Sequence, residues 1–291
     1  MLTRRIAQLG FFILIALLGN SCNTSNTVPK KLTVGLVSYG EEDISLDKYE
    51  DFKKYIGSQT KSIVELEPAY NELQAIDQIS RKQWDIVFAP PGLAALAIDK
   101  QLYEPLFSMG EVSSRQRSVI VVRDDSPIQK IPDLANKTIA LGQIGSAAGY
   151  HVPLYDLYGL TLSKIRFAPT PKTTLQWLTE NSIDAGALSE KNFEIYRRQF
   201  SETKYSTIHT SRWIPPEEEL HSPLIERNRE REIRSIMSQA PANITSDAGY
   251  IPRVKVSEYK QFIKLIKKIK PLEARTKETP AVLLPKSDNN L

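Results

Sequence analysis

The sequence predicts an α/β fold built as two lobes that are joined by two hinge crossings and enclose a ligand cleft. Three observations carry this. Short apolar runs alternate with segments of helically spaced apolar residues from Leu32 to Phe200. A second α/β unit starts after the turn Asp124-Asp125-Ser126-Pro127 and stops at Trp213-Ile214-Pro215-Pro216, in mid-chain rather than at the end. Helical patterns then resume around Ile225–Met237 and Val256–Ile269, so that one lobe is interrupted by another.

In chain order, Leu32–Val37 is an apolar run suited to a buried strand, and Leu46, Tyr49, Phe52 and Tyr55/Ile56 recur at helical spacing. Ile63–Leu66 reads as a strand, Leu73, Ile76 and Ile79 as a helix face, and Asp85–Ala89 as a second buried strand. Pro90-Pro91-Gly92 breaks the chain before a short helix that runs through Ile98. This rhythm implies a parallel sheet covered on both faces. Ser118–Arg123 is the next strand. Thr138–Leu141, a Gly-rich turn and a helix to about Gly159 follow, then strand Ile165–Ala168, helix Thr173–Leu178, strand Asp184–Leu188 and helix Asn192–Phe200. Near the end Tyr259, Phe262, Ile263, Ile266 and Ile269 share one helical face, the signature of core packing.

These boundaries place residues 32–117 and 217–273 in the first lobe and 118–213 in the second, with hinges near 118 and 213–217. Residues 274–291, with Pro280, Pro285 and a polar end, are expected to fray. Ligands bind between such lobes and at the carboxyl ends of parallel strands.

The first residues set the compartment. Arg4 and Arg5, the apolar run Phe11–Leu18 and the exit Ser21-Cys22 have the layout of a secretory signal over residues 1–21. The apolar run is far below the ~20 residues that span a bilayer. Cys22 is the sole cysteine, so no intrachain disulfide can form. Its position resembles the bacterial lipobox, although Gly19 stands where that pattern usually has Leu. The resemblance implies a lipid anchor at Cys22 in the bacterial periplasm or cell envelope, with residues 22–31 as a flexible tether. Removing residues 1–21 from the 291 takes away two basic residues and no acid, which leaves 36 basic against 34 acidic. That balance, and the lack of any base-reading motif, argue against a nucleic-acid partner.

A further set of motifs lies along the chain: Val121–Ile128, Pro132-Asp133-Leu134, Lys137–Gly142, Gly145–Tyr150, Tyr70, Asp85–Phe88, Ile183–Gly186, Ile214–Glu217 and Gly249–Pro252. Their order and spacing resemble the substrate-binding proteins of phosphonate, phosphite and phosphate ABC importers. The resemblance implies a non-enzymatic, monomeric periplasmic binding protein that takes a small anion, closes about its hinge and docks on a membrane permease, with no cofactor. A ligand-sensing or envelope-interaction lipoprotein on the same fold is the alternative.

Gly145, Ser146, Ala147, Ala148 and Gly149 fall where that family has a Ser-Thr-Ser-Gly turn opening a helix. Unpaired N–H groups and the helix dipole suit an anion there, while a plain N-cap would also explain Ser146. Ala147 and Ala148 replace two hydroxyl donors, each worth ~0.5–1.5 kcal/mol, or up to ~3 toward a charged partner. Tyr70 is nominated as a hydroxyl donor, and Glu190 and Glu217 as acids able to hold a ligand amine. Pro91 stands where an aromatic or polar contact is usual, and Ser38 and Tyr39 end the first strand facing the cleft.

His151, His209 and His221 are too widely spaced for a paired-ligand motif, so no metal site is expected. Glu217-Glu218-Glu219-Leu220-His221 reads as a solvated loop. The Gly145 turn is not a G-x-S-x-G elbow and no P-loop is present, which argues against an enzyme.

Overall fold

The computed structural model describes residues 30–37, 46–110 and 116–284. The expected leader (residues 1–21), Cys22, most of the expected tether, and Ser38 and Tyr39 lie outside the described residues.

The first half is a six-stranded sheet in the order β12-β4-β11-β3-β1-β2. Its strands are β1 (Lys30–Val37), β2 (Ser62–Ala69), β3 (Ile86–Ala89), β4 (Glu104–Met109), β11 (Glu218–His221) and β12 (Tyr250–Ile251). The second half is a five-stranded sheet in the order β10-β5-β9-β6-β8. It uses β5 (Gln116–Arg123), β6 (Thr138–Leu141), β8 (Lys164–Phe167), β9 (Ala185–Ser189) and β10 (Tyr205–Ile214). β1 pairs parallel with β3, and β6 parallel with both β8 and β9. β11 runs antiparallel between β3 and β4.

Nine α-helices are described: α1 (Glu50–Thr60), α2 (Glu72–Ser80), α3 (Pro91–Gln101), α4 (Val152–Asp156), α5 (Pro171–Thr179), α6 (Glu190–Tyr196), α7 (Arg227–Ser238), α8 (Ala242–Ala248) and α9 (Lys260–Ile269). The turn after β6 opens as a π-helical segment, Ala147–His151, and α4 ends at Asp156, short of the expected Gly159.

The chain passes from the first sheet to the second between β4 and β5 and returns between β10 and β11. The two crossing strands lie side by side, with Trp213 opposite Arg117 and Ile214 opposite Gln116. Arg117 stacks on Trp213 at 4.6 Å and grips Glu190 with two nitrogens at 2.9–3.1 Å. The Tyr259 hydroxyl, just before α9, donates to the carbonyl of Pro216 on the return crossing.

Two expectations are corrected. The composition of Glu217–His221 predicts a solvated loop, yet Glu218–His221 forms β11, inside the first sheet and buried throughout. Two acids of that strand are tolerated because of their surroundings. Glu218 Oε1 accepts from Ser108 Oγ at 3.0 Å and Ser257 N at 2.9 Å, and Arg234 lies close enough to Glu219 to offset part of its burial. Burial raises both carboxyls above the usual range.

Residues from Ala274 were expected to fray, but the chain is folded through Leu284. There β13 (Ala281–Val282) pairs with β7 (Thr161–Leu162), while Leu272, Ala281 and Leu283 sit fully buried in the second core with Leu154 and Leu157. Each of these leucines contributes roughly 1.5–3 kcal/mol on burial, and the methyl of Ala281 less. The chain therefore enters the second half once more, after α9.

The halves meet along one mixed core. Leu93, Ala94 and Ala97 of α3 cluster with Ala147, Ala148 and Val152 from the second half and with Phe262, Leu265 and Ile266 of α9. At its centre α3 meets the Gly145 turn backbone to backbone. A Cβ on Gly92 would lie 1.7 Å from the Gly145 carbonyl oxygen, and one on Gly145, where φ is +110°, would lie 2.9 Å from Glu72 Cβ. Neither position has room for a side chain. Gly92→Ala is expected to lower the urea midpoint at unchanged slope, by about 1–3 kcal/mol of stability, as overpacking does. Equilibrium unfolding of the two proteins checks this.

Candidate functional site

The candidate site is a cleft of about 620 Å³ between the two sheets. Its floor lies at the carboxyl ends of strands: Val37 closing β1, Pro90 after β3, Gly142 after β6, Ala168 after β8 and Ser189 closing β9. This is where open α/β sheets leave a crevice.

Five of the described helices begin on its wall, each held by local chemistry. Asn71 Oδ1 accepts from Gln74 N at the start of α2, and Pro90-Pro91 opens α3 with no N–H to waste. Ser146 Oγ accepts from Gly149 N at 3.0 Å before the π-helical turn. Thr170 Oγ1 and Ser189 Oγ accept from Thr173 N and Asn192 N, both at 3.1 Å, and so start α5 and α6. Helix starts from both halves thus direct N–H groups and positive dipole ends toward one volume.

The Ser146 turn is fixed on both sides. Ser118 Oγ donates to the Ala148 carbonyl at 2.6 Å, and Gly142 N donates to the Gly149 carbonyl at 2.9 Å. Gly149 N is taken by Ser146 Oγ, and Ala147 and Ala148, the first two residues of the π-helical segment, line the cleft.

Two cations and two acids complete the electrostatics. Lys48 and Lys191 are exposed on the wall, and Glu72 and Glu217 face the same space. Burial pushes the Glu72 carboxyl up to about 7. Glu217 is also raised by burial, with Lys191 and Lys48 partly offsetting it.

Tyr70, Pro91, Ser146, Ala147, Ala148, Gly149 and Glu217, all nominated from sequence, line the cleft. Tyr70 is 59% exposed and stands at the rim. Gly145 is buried beneath the cleft against Glu72 and Leu93 and does not line it. Glu190 is likewise absent from the wall, its carboxylate committed to Arg117. Lys48, Glu72, Thr170 and Lys191 were not nominated. They sit at loop ends and helix starts, where residue spacing carries no signal; only Pro171 after Thr170 marks a helix start.

Among the described residues no helix is long and apolar enough to cross a membrane, and no cluster of His, Cys, Asp and Glu could hold a metal ion.

The raised Glu72 carboxyl has a consequence for stability. Its folded pKa exceeds the unfolded one, so its contribution is fully present below pH ~4.5 and is lost as pH rises through about 7. Glu72→Gln is expected to flatten the decline in stability between pH 5 and 8. It should also leave the variant more stable than the parent at pH 8, by on the order of 2–3 kcal/mol. Glu218 and Glu219 retain their own share of the slope. Urea unfolding across that pH range reads the effect.

A sequence profile of one family, described as the phosphonate periplasmic substrate-binding protein of ABC transporters, matches residues 34–261. No curated protein sequence matches the chain. Solved structures share the fold at low identity. A Xanthomonas citri protein bound to ATP superposes with a TM-score of 0.69 at 17% identity, over 82% of this chain and 98% of that one. PhnD1 of Prochlorococcus marinus, in complex with methylphosphonate, gives 0.64 at 19% identity over the same shares. A binding component of a Pseudomonas aeruginosa ABC phosphonate transporter gives 0.64 at 17%, over 85% and 88%.

Proposed function

The chain belongs to the phosphonate-binding family of periplasmic substrate-binding proteins of ABC transporters, and we propose that it captures a small phosphonate-like anion in the cleft and presents it to a membrane permease. The observation that carries this reading is the convergence of helix starts from both halves, with Lys48 and Lys191, on one cleft. Backbone donors of that kind bind phosphoryl oxygens without side-chain hydroxyls, which answers the loss of two hydroxyls at Ala147 and Ala148. Two of the solved structures with this fold hold methylphosphonate and ATP, and both ligands present a phosphorus oxyanion.

In this reading the oxyanion sits at the N–H groups of Ala147 and Ala148, and Lys48 and Lys191 balance its charge. Glu72 and Glu217 stand ready for a cationic or hydrogen-bond-donating substituent, Glu72 as a neutral acid below about pH 7. A ligand touching both halves shifts the protein toward its closed form by its differential affinity for the two states. The binding protein acts as a monomer, held to the membrane by lipid at Cys22 with the following residues as tether. A sensing role on the same fold draws support from one feature, the two alanines in the turn.

The test is calorimetry and thermal unfolding of the chain from Cys22 onward with phosphate, phosphite, methylphosphonate and aminoethylphosphonate. A true ligand at 100 times its dissociation constant adds ~2.7 kcal/mol and raises the melting temperature. Lys48→Ala and Lys191→Ala are each expected to weaken that ligand by about tenfold, the scale of one lost charged hydrogen bond. A folded protein that responds to none of the panel overturns the capture reading and leaves sensing.

A further inference from the structure

A second cavity, of about 170 Å³, lies away from the cleft, walled by α2 and α3 on one side and by Ile144, His151 and the turn after α9 on the other. Its base is apolar, with Ile79 and Leu93 buried and Ile76 and Leu96 partly so. His151 is fully buried there, and neither ring nitrogen has a hydrogen-bond partner among the described residues. Its ring packs edge-on against Tyr150 and Phe262. Burial and the nearby Lys100 charge hold it neutral, with a pKa lowered to about 3, so one nitrogen carries a hydrogen and can donate. An orphaned buried donor of this kind is uncommon and calls for a partner.

The rim supplies charge. Lys100 lies against Lys270, close enough that the second ammonium lowers the pKa of the first. Two like charges held together without an intervening anion repel. Glu273 is 3.9 Å from Lys270 and offsets one of them, while nearby Asp99 is already paired with Lys267 at 2.7 Å. The rim therefore keeps one positive charge in excess. A dianion would exceed that charge and would lose hydration against the aliphatic walls. A monoanion with a short apolar body matches both the charge and the walls.

We propose that this cavity is a second ligand site, separate from the cleft, for a small aliphatic monocarboxylate. Its carboxylate bridges Lys100 and Lys270 and accepts from the His151 ring, and its alkyl chain lies against Ile79, Leu93 and Leu96. Since its walls come from both halves, an occupant contacts each of them.

The test uses the mature chain from Cys22, labelled with nitrogen-15 at histidine and titrated with sodium butyrate as probe. The signals are assigned with His209→Gln and His221→Gln. The His151 ring resonances are expected to move saturably while those of His209 and His221 stay fixed. Lys100→Met and Lys270→Met, both at exposed positions, should each weaken butyrate by about tenfold and leave binding in the cleft unchanged. Inorganic phosphate, lacking an apolar body, should not saturate the same signals. The proposal is overturned by an absence of saturable change up to roughly 50 mM butyrate, far above the millimolar range of weak specific sites. Equal butyrate affinity in the two Lys→Met variants, or an identical response to phosphate, overturns it as well.

Discussion

The contact on which the rest of this molecule depends is the backbone approach of Gly92 to Gly145. It brings the start of α3, in the first half, against the turn that opens the π-helical segment in the second. A side chain on Gly92 would run into the Gly145 carbonyl, and one on Gly145 would run into the side chains of Glu72 and Leu93, a cleft residue and a residue of the mixed core. The cleft is in this sense a by-product of two missing methyl groups.

The second organising feature is the placement of acid inside the first sheet. β11 returns from the second half and inserts between β3 and β4, bringing Glu218 and Glu219 into the interior. Ser108, the N–H of Ser257 and the charge of Arg234 make that bearable, at the cost of raised carboxyl pKa values. Glu217, one residue earlier, faces the cleft instead. A single acidic run thus serves binding wall and sheet interior on successive residues, Glu217 just before the strand and Glu218 and Glu219 within it.

Much of the fold was legible in the sequence because periodicity is a local property. The apolar runs of β1, β3, β5, β6 and β9 and the stripe on α9 were readable, and that stripe packs into the core that both halves share. β11 was not readable, because three consecutive acids carry the composition of a loop, and their neutralising partners are more than thirty residues away or on other elements. The final segment was misread for a similar reason: Pro280 and a polar end look like a fraying tail, while its anchors, Ala281 and Leu283, are few. In the cleft the Ser146 turn was legible, since a glycine-flanked serine before a helix has a local meaning. Lys48 and Lys191 were not, because nothing in their neighbours' spacing says which way they face.

The last segment also sets an order of events. The core of the second half contains Leu272, Ala281 and Leu283, and β7 finds its partner only in β13. Every other element of that half is synthesised some seventy residues earlier, by Ile214. During synthesis the half therefore exists for a long interval with an open seam, and it closes only when nearly the whole chain is present. The core of that half is thus completed from the far end of the described chain, after every other element of both halves has been made.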